Sequence, residues 1–258
     1  MKGTINLNPK TPPRWIAAAF FIILILLWEG ASRGGLISPL YLPSPTAIIA
    51  AFLLMCGNGD LGPAFAASMV RIIFGYGLGV IFGVALGLLF ALSLSARQIG
   101  MPLAHFLYPI PKLALLPLFI LWFGIGETPK LIMIAMGVFF PVFLNTYSGV
   151  TRMPQIYTKV AFICNLSYGR YIRQVVLPAA LPSIFTGMRL SAGISLILLV
   201  AAEMLAAGKG IGALVLHYGD LMLTDRLMAC VLLLAVLGVI FQVILNVAEK
   251  HCIPWDQK

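Results

Sequence analysis

The chain has 258 residues, of which 61% are hydrophobic and only 10% charged, with a formal net charge of +9. A soluble domain carries about 25% charged residues, and a chain this short has too high a surface-to-volume ratio to hide so much apolar surface from water. An ordinary soluble domain is therefore excluded. A nucleic-acid binder is excluded too, because the basic residues sit at the ends of apolar runs and form no basic face.

In lipid, every backbone polar group must be satisfied within the chain, which leaves helices or closed barrels. Barrel strands would show segments of about ten residues with alternating polarity. The long unbroken apolar runs instead predict an all-α integral membrane protein with about six transmembrane helices. In chain order they fall at roughly 14–31, 66–92, 102–124, 129–149, 183–206 and 226–248.

The first run, from Trp15 to Trp28, follows Lys2, Lys10 and Arg14 and has the outline of a signal peptide. No small-residue cleavage site follows, so it reads as an uncleaved span. Arg14 and the two tryptophans extend its reach to the interfaces.

The second run carries Gly75, Gly79, Gly83 and Gly87 at strict i+4 spacing. That spacing lines one helix face with small residues. A neighbouring backbone can then approach closely, within the subunit or across a dimer.

Around the third run stand Pro109, Pro111 and Pro117. Proline removes a helix donor and clashes with the preceding turn, which predicts a broken or kinked start. Lys112 sits inside this break. It is either a functional residue within the membrane or an interfacial lysine at a displaced span start.

Between the fourth and fifth runs, the connection at about 150–182 holds Arg152, Lys159, Arg170 and Arg173 and no acid. It is a topological anchor, or a docking surface for a partner on that side. Its length favours the second, because connections in helix bundles usually run about two to eight residues.

The fifth run contains Arg189 and Glu203. An acid embedded in an apolar helix should face the bundle interior or a water-filled path rather than lipid. Arg189, at the other end, either meets phosphate head groups or closes a gate.

Orientation follows from the loop lysines and arginines. Lys2, Lys10, Arg14, Arg97, Arg152, Lys159, Arg170, Arg173, Lys250 and Lys258 fall on one side, and Arg33, Lys130 and Lys209 on the other, with Arg71 and Arg226 near span ends there. The first side is cytoplasmic by the positive-inside rule, with both termini there. The localisation expected is a bacterial plasma (inner) membrane.

No catalytic constellation emerges, and no enzyme activity is expected of this chain. Cys56, Cys164, Cys230 and Cys252 lack metal-ligand spacing and read as small buried apolar residues. His105 and His217 lack metal partners, and no metal site is expected. Gly208-Lys209-Gly210 resembles the end of a phosphate loop but lacks the following Ser or Thr and the upstream glycine. No ATP site is expected by that route.

The 150–182 connection also carries a resemblance. Lys159-Val160-Ala161-Phe162-Ile163-Cys164-Asn165 and, nine residues later, Val175-Val176-Leu177-Pro178 resemble the E-A-A-x-x-x-G-x9-I-x-L-P signature of ABC importer permeases. Ala161, Leu177 and Pro178 match, and Val175 replaces Ile. Lys159 stands for the leading Glu, Val160 for the first Ala and Asn165 for the Gly. Leu42-Pro43-Ser44-Pro45, the stretch from Pro117 to Gly126, Phe140 to Thr146 with Asn145, Leu181 to Ile184 and Ala202-Glu203-Met204 look like the sulfonate, taurine and nitrate branch.

The resemblance implies a type I importer fold. Residues 1–63 would form a tail, the first span and a periplasmic segment. Residues 64–248 would form the ABC transmembrane domain, and 249–258 a cytoplasmic tail. It implies a homodimer in membrane lipid, two cytoplasmic ABC ATPase subunits and a periplasmic or lipid-anchored substrate-binding protein. ATP and Mg²⁺ would be held by the ATPases, and this chain would bind no cofactor. The signature residues would be the ATPase contact. Lys112, Asn145, Arg189 and Glu203 are the candidate path or gate. The substrate expected is a small anion. An ion-gradient-driven secondary transporter, or the same fold carrying a vitamin precursor, is the alternative.

Overall fold

The computed structural model describes residues 14–206 and 208–256. Lys2, Lys10 and Lys258, placed above on the cytoplasmic side, lie outside the described residues. Among those described, every regular element is helical.

Helix α1 (Arg14–Arg33) has 20 residues, which at 1.5 Å per residue is about the thickness of a bilayer core. Its side chains from Phe20 to Leu27 are 50% to 67% exposed, so most of the helix stands off the bundle. Its C-terminal end is tied down. Trp28 Nε1 donates to the Pro43 carbonyl at 3.1 Å, and Glu29 accepts from the Thr46 amide and hydroxyl at 3.1 and 2.6 Å. Helix α2 (Pro45–Gly57) starts where the Ser44 hydroxyl accepts from the Ala47 amide, with Pro45 in the first turn. Ser and then Pro is a favourable helix start, because proline has no donor to waste there. Its 13 residues span about 20 Å and fall short of a crossing.

Helices α3 (Leu61–Leu92), α6 (Glu127–Thr151) and α9 (Leu177–Ala206) form the centre. The glycine stripe of α3 faces α6 of the same chain. A Cβ on Gly75, Gly79, Gly83 or Gly87 would come within 2.6 to 2.9 Å of Ile134, Val138, Val142 or Thr146, respectively. The contacts advance in the same direction on both helices, so α3 and α6 are parallel. Against α9 the order reverses. Gly137 lies against Leu198, and Gly149 against Ser183, so α9 is antiparallel to α6.

Parallel neighbours oblige the chain between them to return the length of the bundle. Helix α4 (Leu94–Leu107), a 3₁₀ turn at Lys112–Leu115 and α5 (Leu116–Phe123) make that return with a 90° bend. The break is the one that the prolines predicted, while the start moves from the expected 102 back to Leu94. Pro109 and Pro111 supply no amide to carry α4 onward, while Ser93 caps its start with a hydroxyl that accepts from Ala96. Eight residues of α5 reach about 12 Å, too little to cross alone.

A second boundary also moves. Helix α7 (Gln155–Ile163) lies within the loop after α6. Then α8 (Tyr168–Tyr171) runs through a π-turn (Ile172–Val176) into α9. The expected 183–206 span is therefore the last part of a helix from Tyr168 to Ala206, 39 residues long, and the loop contracts accordingly. Pro178 explains why the join is a π-turn. Its ring cannot donate to Gln174 and displaces that carbonyl, and the Leu177 amide instead reaches Ile172. Helices α10 (Ile211–Asp220) and α11 (Thr224–Cys252) complete the chain and pack with α2 around Ile48, Met55, Ile211 and Ala229.

Among the described residues, four helices are long and apolar enough to cross a membrane, or five if the bent α4–α5 pair is counted as one span. Helix α1 is the remaining expected span. The cysteines depart from expectation. Only Cys230 is buried, and Cys56, Cys164 and Cys252 are exposed because they lie on the outer side of α2 or at helix ends.

Candidate coupling surface and translocation path

Helix α7 ends in a fully bonded cap. The Leu166 amide donates to the Ala161 carbonyl at 3.1 Å, and the Asn165 amide to Phe162 at 3.0 Å. Asn165 holds φ 53°. This pair of bonds around a left-handed residue is a Schellman motif, whose left-handed position favours Gly and next Asn. The Gly position of the signature is thus the residue that turns the chain.

Ala161 is buried, while Val160 beside it is exposed. Ala161, Val160, Val175 and Pro178 line one groove of about 540 Å³, together with Trp255. Leu177 packs in the cluster formed by Val150, Val176, Ala180 and Ile184. Thr158 and Tyr171 share a hydroxyl contact at 3.0 Å that fixes α7 to α8. Val160 and Ala161 therefore share one groove with Val175 and Pro178, which lie more than ten positions further along the chain.

That surface is apolar and positive. Ile156, Phe162, Ile163 and Trp255 are 58% to 86% exposed. Arg152, Lys159, Arg170 and Arg173 are exposed and form no salt bridge among the described residues.

The candidate path residues are not gathered at one point. Lys112 lies half-buried in the α4–α5 break and donates to the Tyr108 carbonyl. Its ammonium sits 4.9 and 5.2 Å from the centres of the Tyr108 and Phe140 rings, and no carboxylate pairs with it among the described residues. Asn145 donates to the Pro141 carbonyl at 2.8 Å, where α9 crosses at Gly187. Arg189 pairs with Glu249 and bonds Thr186 at 3.2 Å, while Gln242 donates to its carbonyl at 3.1 Å. It stitches α9 to α11.

Glu203 is fully buried. It accepts from Ser68 at 2.8 and 2.9 Å, from Arg71 at 2.7 Å and from the Gly212 amide at 2.8 Å. It is an inter-helix contact between α9, α3 and α10. Sequence reasoning placed Arg71 only near a span end and missed its role. Two opposite charges in otherwise apolar runs, at matching depth, were the available signal.

Residues 79–253 match the family model described as the binding-protein-dependent transport system inner membrane component. The chain belongs to this family. It is a multi-pass membrane permease subunit and is not itself an enzyme. The family works with ATPase and substrate-binding partners.

The chain is 34% identical to the taurine transport system permease protein TauC of Escherichia coli (strain K12), over 90% of this chain and 86% of that protein. It is 36% identical to the putative aliphatic sulfonates transport permease protein SsuC of the same strain, over 90% and 89%. With the nitrate import permease protein NrtB of Leptolyngbya laminosa it shares 32% identity, over 75% and 69%. A chain of the MetNI methionine ABC transporter, solved in inward-facing conformations, matches with a TM-score of 0.62 at 15% identity, over 72% of this chain and 92% of that one. That likeness supports the type I permease fold.

Proposed function

We propose that this permease carries a small anion, such as an aliphatic sulfonate, taurine or nitrate, as a homodimer in the bacterial inner membrane. Two cytoplasmic ABC ATPases hold ATP and Mg²⁺, and a periplasmic or lipid-anchored protein delivers the substrate. The α7 surface is the carrying observation. A short capped helix with exposed apolar side chains, beside four cations that form no salt bridge among the described residues, suits an acidic-rimmed cleft on a partner.

The α7 end is the cytoplasmic end in this reading. It holds Arg97, Arg152, Lys159, Arg170, Arg173 and Lys250, whereas of Arg33, Arg71, Lys130, Lys209 and Arg226 at the α10 end three (Arg33, Arg71 and Lys130) are paired with carboxylates. Because α1 reaches the α10 end at Trp28, its start and the end of α11 share the cytoplasmic side. Lys112, a cation without a carboxylate partner among the described residues, supports an anion on the path. The sulfonate, taurine and nitrate names of the relatives support the same class.

Co-expression with the neighbouring ATPase and binding protein tests the proposal. Co-purification, together with uptake blocked by vanadate and indifferent to ionophores, is expected. Ionophore-sensitive uptake without an ATPase would overturn it in favour of a secondary transporter. Ligand binding by the binding protein identifies the substrate, and a vitamin precursor there would overturn the anion.

A further inference from the structure

At the α10 end, four charged side chains meet. Arg71 on α3 is 5% exposed and Glu203 on α9 is fully buried. Glu127 opens α6, and Lys130, 3% exposed, lies one turn further along it. Arg71 forks onto Glu127 at 2.5 and 2.8 Å. Its third nitrogen donates to Glu203 at 2.7 Å and to the Lys209 carbonyl at 2.6 Å. Lys130 donates to Glu127 at 2.8 Å.

The two arms differ. Glu203 is held by the Ser68 hydroxyl and the Gly212 amide as well as by Arg71, and the Ser68 oxygen also accepts from the Ile211 amide at 2.9 Å. The turn hugs this carboxylate so closely that a Cβ on Gly210, at φ 146°, would lie within 2.6 Å of it. The Glu127 side chain is instead 56% exposed. It follows a turn containing Gly124 at φ 78° and then Gly126.

The charges also divide evenly. Parting the start of α6 from α3 at Arg71, beyond the glycine seam, leaves Glu127 with Lys130 on one side and Arg71 with Glu203 on the other. Each half is a neutral pair. A buried charge left alone is strongly penalised, and this seam can open without leaving one.

We propose that the cluster is an ionic latch, resting on the permease reading above. The Arg71–Glu127 fork breaks and re-forms in each transport cycle, while Arg71 stays on Glu203 and keeps the Lys209–Gly212 turn in place. Glu127 is a positioning residue. It sets where the α5–α6 turn stands relative to the α9–α10 turn.

The test uses the complete complex with its ATPase and binding protein, in phosphatidylethanolamine and phosphatidylglycerol vesicles. Spin labels go on Ile125→Cys and Lys209→Cys, both exposed positions, with the native cysteines replaced by alanine. The label distance is read without nucleotide and after trapping with MgATP and vanadate. A shift of about 2 Å or more, the size of helix displacements in switching proteins, is expected. Glu127→Gln should abolish the shift, and Glu127→Asp should keep it.

Equal distances in both states would overturn the latch, as would an unchanged shift in Glu127→Gln. So would a Glu127→Gln chain that does not assemble, since the fork would then be purely structural. Failure of the unsubstituted chain to assemble with an ATPase counts against the permease reading instead.

Discussion

The Leu166 amide reaches back across Asn165 to the Ala161 carbonyl at 3.1 Å, and that single turn sets how α7 is presented. Asn165 at φ 53° stands where L-residues other than Gly, Asn and Asp are strained by about 1–2 kcal/mol. Asn165→Gly is expected to leave assembly intact. Asn165→Val should reduce the amount of ATPase recovered with the permease, and quantitative co-purification checks both.

Lys159 places a positive charge where the signature carries a negative one, and it is exposed without a salt bridge among the described residues. Either the native ATPase carries a compensating acid or the contact is dispensable, and the first is the expectation to test. Lys159→Glu should then weaken ATP-driven uptake with that ATPase. Unchanged uptake would mean that the contact is dispensable.

The glycine seam has an internal control. A Cβ on Gly79 would lie 2.6 Å from Val138 and from the Ala135 carbonyl, whereas one on Gly77 meets nothing within 4 Å. Gly79→Ala should destabilise by about 1–3 kcal/mol through overpacking. Gly77→Ala should be neutral or stabilising by up to about 1 kcal/mol through helix propensity. Thermal unfolding of the detergent-purified permease distinguishes them.

Arg71→Met leaves the Glu203 carboxylate buried without its cation. Loss of one partner of a buried pair costs about 3–5 kcal/mol, so a large fall in melting temperature is expected. Because two apolar residues can replace such a pair at little cost, Arg71→Met with Glu203→Leu should recover part of the loss.

Lys112→Gln tests the path. Its ammonium meets aromatic faces and a carbonyl rather than a carboxylate. Weaker uptake of sulfonate or nitrate is expected. Unchanged uptake and unchanged anion preference would leave Lys112 an interfacial lysine.

Local chemistry made much of this legible. Pro109 and Pro111 announced the break between α4 and α5, and the i+4 glycines announced a close helix seam. What was hidden was long-range. Arg71 and Glu203 are 132 positions apart, and no spacing rule joins them. The extension of α9 back to Tyr168 was hidden for another reason. Pro178 and Pro182 stand just before the expected start at 183, yet the π-turn carries the helix past the first, and the second lies inside it. The polar residues from Arg170 to Gln174 also broke the apolar run that marks a span.

The glycine seam reaches from Gly75 to Gly87 with no flexible side chain on the α3 side. Packed interiors are nearly incompressible, so α3 and α6 behave as one beam. One end of that beam leads directly into α7, and the other stops at Gly75 and Ile134, about one turn short of Arg71 and two short of Glu127. A push delivered beneath α7 is therefore carried undamped to the edge of the ion cluster, where α3 and α6 lie beyond the glycines and are able to part.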